Sequence, residues 1–226
     1  MAGGCAVDWS AINHQASQQH IPHDLLARED MQRAILAHLS QSGFFDAGVF
    51  QGGTALRPVY GNRRFSEDLD FVTRASVPAF VRQVSASVET LPQAVARSVA
   101  YLDDVRVSTQ KVNGRLRRDA FRATVSPLHK TLRINLEFMA VPSDEALVTA
   151  VTRDDDTYPV VAESLREITA DNTAGAEALA GDMPRFLTAD AFQQLEADIP
   201  LLLQRIAKRL PQAVAEVSGP TQGRQR

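Results

Sequence analysis

The chain of 226 residues holds a single cysteine, Cys5, which excludes an intrachain disulfide and any multi-cysteine zinc site. One thiol fits a reducing compartment, so a cytoplasmic protein is expected. The five histidines, at 14, 20, 23, 38 and 129, form neither HxxxH nor HExxH, which argues against a zinc hydrolase. Aromatic residues make up only 6%, too few for a base-stacking platform of the RNA-recognition type. No apolar run reaches the roughly 18 residues of a membrane span. The opening MAGGCAVDWSAINHQ has neither a basic nor an apolar leader region, so no secretory signal is expected.

What is present is an ordinary globular composition, 44% hydrophobic and 23% charged, enough to bury a core. The net charge of −3 conceals an asymmetry. Residues 106–133 hold eight lysines or arginines and one acid, a net of +7, whereas residues 137–198 hold fourteen acids and three arginines, a net of −11. Such a division marks either a basic working face beside an acidic flank or strand edges charged for solubility.

Apolar spacing predicts a helix over 23–42 that stops at Gly43. A short strand follows at Val49-Phe50. Gly52-Gly53-Thr54 then opens a helix to about Tyr60, with Thr54 as N-cap. Leu69–Thr73 reads as a strand. Val77–Val99 reads as a helix that Pro92 should break or kink. Strands follow at Val105–Lys111 and Asp119–Val125, joined through an Asn113-Gly114 hairpin turn, then at Leu132–Phe138 and Leu147–Val151. Asp103-Asp104 reads as a turn and Asp154-Asp155-Asp156 as a solvated loop. Ser164–Asn172 and Thr188–Leu210 read as helical, the latter interrupted near Pro200. The organisation expected is a flexible segment over 1–22, a core over 23–160, a helical region over 161–216 and a disordered tail over 217–226.

The chemistry concentrates in residues 50–71, FQGGTALRPVYGNRRFSEDLDF. Asp68 and Asp70 stand two apart on a strand, so both carboxylates share one face, with Cα atoms roughly 6.5–7 Å apart. Leu69 and Phe71 point the opposite way, into the core. Two carboxylates on one wall repel unless a cation compensates, and Mg2+ prefers carboxylates combined with substrate phosphates. The plain alternative is an acidic strand end partnered by Arg63 and Arg64. A Gly-Gly at a helix start lets a phosphate approach bare N–H groups. A third carboxylate would complete a two-metal site, in which ions about 3.5–4 Å apart steady the attacking and leaving oxygens. Glu137, on the polar face of the INLEF strand with Arg133 and Asn135, is the candidate; the plain alternative is a solvated residue beside Arg133.

Gly52-Gly53, then Asp68-x-Asp70, then a strand carboxylate, resembles the pattern of DNA polymerase beta-type nucleotidyltransferases. The fuller string GGTALR…YG…RFSEDLDF more narrowly resembles the AbiEii/AbiGii toxin family of bacterial toxin–antitoxin and phage-defence systems, over roughly residues 23–170. The resemblance implies an α+β fold: a nucleotidyltransferase core, a mixed sheet flanked by helices, with a short helical C-terminal region. It implies that Gly52, Gly53 and Thr54 hold the triphosphate of an NTP, and that Asp68, Asp70 and Glu137 bind two Mg2+ ions and carry catalysis. Arg57 and Arg64 would bind phosphate or brace the acids. The acceptor would be RNA, in some relatives tRNA, and the basic stretch 106–133 would follow its backbone. The partner would be a cognate antitoxin, with no membrane involved.

The chain departs from the family after ESLREITADN, residues 163–172. Asn172 stands where relatives carry a nucleotide-contacting lysine, and no RDLxD segment follows. Two other readings therefore remain beside an RNA-directed enzyme. One is a truncated, inactive homologue that binds a partner or nucleotide. The other is a small-molecule transferase of the aminoglycoside-modifying kind.

Overall fold

The computed structural model describes residues 9–55, 57–59, 65–143, 146–153 and 156–163. Its elements run α1 (Trp9–Gln19), α2 (His23–Gln41), a 3-10 turn (Phe44–Asp46), β1 (Gly48–Gln51), α3 (Gly52–Ala55), β2 (Asp68–Thr73), α4 (Val77–Ser98), β3 (Leu102–Val112), β4 (Leu116–Val125), a 3-10 turn (Ser126–Leu128), β5 (Lys130–Pro142), β6 (Ala146–Arg153) and β7 (Asp156–Glu163). The fold is α+β, with one mixed seven-stranded sheet ordered β3-β4-β5-β2-β1-β7-β6. Two joins are parallel, β2 with β5 and β1 with β7; the others are antiparallel. No described helix is long and apolar enough to cross a membrane.

Strand alternation selects the core face. In β2, Leu69 and Phe71 are fully buried while Asp68 and Asp70 are half-buried on the opposite side. In β5, Leu132, Ile134, Leu136 and Phe138 are buried and alternate with Arg133, Asn135 and Glu137. On the core face Phe71 stacks on Phe138 at 5.2 Å between ring centroids, and Phe44 meets Phe71 edge-on at 5.1 Å. Phe80 of α4 closes the same cluster against Phe44, and α2 packs beside α4. Gly48 permits this arrangement, because a Cβ there would lie 2.2 Å from the ring of Phe44. The acids thus sit on the sheet face turned away from the aromatic core.

Several expectations need correction. Residues 9–19, expected within a flexible segment, form α1; Trp9 meets Tyr101 edge-on at 5.2 Å and stacks on His23, so contacts to the rest of the fold hold this helix. Helix α4 continues through Pro92. Its stripe of Phe80, Val84, Val88, Leu91 and Val95 is buried, and that burial outweighs the roughly 3 kcal/mol cost of an interior proline. Helix α3 ends at Ala55, well short of Tyr60, and Asp103-Asp104 lies inside β3. Asp156 begins β7, a strand the sequence pattern concealed. The helical region expected over 161–216 begins instead within β7, whose residues 161–163 are strand, and the rest of it and the tail over 217–226 lie outside the described residues.

Candidate functional site

The parallel join of β2 and β5 builds the site. Its register puts Asp70 directly beside Glu137 and Asp68 beside Asn135. Residues paired in register point to the same face, so Asp68, Asp70 and Glu137 share one face although they come from segments far apart in sequence. On the other flank Gln51 of β1 is paired with Asp70. Beyond Glu137 lies Arg118 of β4, its register partner across the antiparallel join.

Each acid is held differently. Asn135 donates from Nδ2 to Asp68 Oδ1 at 2.7 Å. Glu137 accepts an ion pair from Arg118 at 2.6 Å. The Asp70 carboxyl is pushed up to about 7, first by burial and then by the neighbouring charges of Asp68 and Glu137, with Arg118 opposing. The centre is therefore short of positive charge, which is the condition a divalent cation relieves. Among the described residues no three acidic, histidine or cysteine side chains stand gathered around one point as a metal would require.

The glycine turn abuts the acids. Gly52 has a left-handed backbone (φ +77°), and a Cβ on it would stand 3.2 Å from Asp70 Oδ2. Glycine alone admits both the turn and the close approach. Thr54 takes a role other than N-cap, since α3 begins at Gly52. Its buried hydroxyl donates to the Asp68 carbonyl at 2.5 Å and shares a 2.6 Å bond with Ser66, tying α3 to the head of β2. Arg57 pairs with Glu29 of α2 at 2.9 Å, and its guanidinium lies 3.8 Å over the Phe65 ring. It braces the loop between α3 and β2 against α2. Around it, Arg28 pairs with Glu67 and Gln32 donates to the Ser66 carbonyl. Arg63 and Arg64 lie outside the described residues, and the side-chain surroundings of position 53 are likewise not described.

The structure thus brings together Gly52, Asp68, Asp70 and Glu137. It adds three residues that sequence reasoning did not single out: Arg118, Asn135 and Gln51. Arg118 had appeared only as one of eight basic residues, and Asn135 only as a polar neighbour of Glu137. The partner of Glu137 is Arg118; Arg133 donates instead to Asn135 Oδ1 at 2.8 Å.

Fold and site together define an α+β protein in which an aspartate pair and a cross-strand glutamate meet a glycine turn on one face of a mixed sheet. The family model described as "Nucleotidyl transferase AbiEii toxin, Type IV TA system" matches residues 34–172, well over half of the chain. The chain belongs to this family of nucleotidyltransferase toxins of type IV toxin–antitoxin systems. Among solved structures it is similar to JHP933 from Helicobacter pylori, with 22% identity, TM-score 0.47, and coverage of 67% of this chain and 57% of that one. It is also similar to an H. pylori protein described as a candidate nucleotidyltransferase, with 21% identity, TM-score 0.46, and coverage of 67% and 59%. The aligned part therefore spans less than two thirds of either relative. A search of curated proteins finds no match.

Proposed function

We propose that this chain is a Mg2+-dependent nucleotidyltransferase that moves a nucleoside monophosphate from an NTP to RNA, with tRNA as the first candidate acceptor. It would act in the cytoplasm as the toxin of a pair whose cognate antitoxin restrains it, in a phage-defence setting. The described elements from α1 to β7, residues 9–163, would form the catalytic core. The observation that carries this reading is the register of Asp70 with Glu137, which puts a third carboxylate beside the Asp68/Asp70 pair at the glycine turn.

In the reaction an acceptor hydroxyl oxygen attacks the α-phosphorus of the NTP. The new O–P bond forms as the bond to the β-phosphate oxygen breaks, pyrophosphate leaves, and the hydroxyl proton passes to a carboxylate oxygen or water. Asp68, Asp70 and Glu137 would hold two divalent ions, which when bound would neutralise the triphosphate and the acids together. Gly52 and Gly53 would leave room for the triphosphate at the turn, and Thr54 would hold the turn in place through its bond to the Asp68 carbonyl. Asn135 would aim Asp68. Arg57 would act as a brace, and Arg64 would reach phosphate.

A second reading, binding of nucleotide or a partner without turnover, is favoured by one observation: Arg118 already occupies Glu137. Transfer to a small molecule such as an aminoglycoside is the third reading.

One label-transfer experiment separates them. Purified protein is mixed with total tRNA, Mg2+ and each α-32P-NTP in turn, beside Asp68→Ala/Asp70→Ala. We expect label on RNA from one NTP and none with the variant. Label on an aminoglycoside alone would redirect the assignment. No label on either acceptor, from protein shown to be folded, would favour the binding homologue.

A further inference from the structure

The basic stretch is not one surface. Arg117 turns to the buried Asp119 at 2.6 Å, and Lys130 pairs with Asp24 at 2.6 Å. The register sorts out those that share a face with the acids. Arg106 pairs in register with Arg122, and Arg122 with Arg133, so three arginines stand side by side across β3, β4 and β5. The next row, two residues along each strand, is Ser108, Ala120, Asn135 and Asp68. The row after that is Lys111, Arg118, Glu137 and Asp70. A band thus runs from Asp68 to the β3 edge, with cations on both sides over β3 and β4 and with Glu137 and Asp70 on its second side over β5 and β2. At about 4.8 Å per strand, its three strand spacings make it roughly 14 Å long.

We infer that this band is the acceptor track: a strand of RNA crosses β3, β4 and β5, held by its phosphates between the arginine row on one side and Lys111 and Arg118 on the other, with its terminal hydroxyl at Asp68 and Asp70. This rests on the transferase reading for the direction of the strand, but not for its binding. Arg106 and Arg133 are exposed and Arg122 is half-buried. Their present partners are weak competitors for phosphate: Asp104 meets Arg106 at 3.3 Å with both side chains 58% exposed, Ser108 Oγ accepts from Arg122, and Asn135 accepts from Arg133. The band carries no aromatic or large aliphatic side chain of the kind that anchors a protein partner. Recognition by charge alone would be independent of sequence and dependent on salt.

The test uses a fluorescein-labelled single-stranded RNA and the full chain in EDTA, without NTP, followed by anisotropy across a KCl series. Arg106→Gln/Arg122→Gln/Arg133→Gln should weaken binding at least tenfold and flatten the slope of log affinity against log salt by about 2, since each phosphate contact contributes about 0.7 for single strands. The triple lysine variant should restore most of the affinity, which separates lost charge from lost folding. Arg97→Gln, on the exposed side of α4, should leave binding unchanged. Equal affinity and slope in the glutamine variant would overturn the inference, as would no RNA binding by the unaltered chain. Arginine-dependent binding of polyglutamate in place of RNA would also overturn it, pointing to an acidic protein. Because metal and NTP are absent, failed label transfer with intact arginine-dependent RNA binding would sink the enzyme reading and leave the track standing.

Discussion

Arg118 and Glu137 face each other across β4 and β5 and close an ion pair at 2.6 Å, so the third carboxylate of the site is held by a cation of the protein's own. The pair is partly exposed, at 43% and 23%, so its net worth is about 0.5–1 kcal/mol. Removing Arg118 frees Glu137 and makes the acid cluster more negative. Arg118→Gln should therefore bind Mn2+ several-fold more tightly, measured by the loss of the free-ion signal in electron paramagnetic resonance. Unchanged or weaker affinity would show that Arg118 does not compete with the ion.

The Asp70 carboxyl gives the metal-free protein a pH-dependent weakness. Its pKa stands at about 7, against 3.8 for an ordinary aspartate, so between those values the folded state holds a proton that the unfolded state has lost. Stability therefore falls as pH rises through that window, and the cost is complete above about pH 7. The full displacement corresponds to about 4 kcal/mol, of which a half-buried site should retain about 1–2 kcal/mol. In EDTA, Asp70→Asn should raise the melting temperature at pH 8 and have little effect at pH 4. An equal effect at both pH values would show that ionisation is not the source.

Gly52 couples backbone to chemistry. Alanine there would strain a φ of +77° and press on Asp70 Oδ2 from 3.2 Å. Gly52→Ala should cost about 1–2 kcal/mol in urea denaturation and weaken Mn2+ binding together. A stability loss with full metal affinity would confine the glycine to the turn.

Glu29 is buried and receives two arginines, Arg33 at 2.7 Å and Arg57 at 2.9 Å. Glu29→Gln should destabilise by about 2 kcal/mol, and a double-mutant cycle with Arg57→Ala should show coupling of about 1 kcal/mol. Additive effects would deny Arg57 its bracing role.

The parts of the fold visible in the sequence were those in which local pattern and final burial agree. DLDF and INLEF alternate in sequence as they do in the sheet, and Asn113-Gly114 does turn β3 into β4. Strand β7 was concealed because Asp156, at the end of an aspartate run, and Pro159 mimic a loop; the proline is accommodated at an exposed position in the strand. Helix α4 passes through Pro92 because packing on the sheet, unreadable locally, decides its course. At the site, Asp68, Asp70, Glu137 and Gly52 were legible from residue type and spacing. Arg118 and Asn135 were not, because only cross-strand register distinguishes them from other polar strand residues. Thr54 and Arg57 were candidates by residue type, but their bonds to the Asp68 carbonyl and to Glu29 depend on partners distant in sequence.

The parallel join of β2 to β5 also sets a timetable for synthesis. Asp68 and Asn135 are 67 positions apart, and β3 and β4 must be made and passed over before β5 can lie against β2. A ribosome that has finished the aspartate pair has made only half of the acid site. The other half arrives with a strand whose pairing is among the slow, non-local steps of folding. Any chemistry that needs all three acids is thus withheld from the nascent chain until β5 is in place.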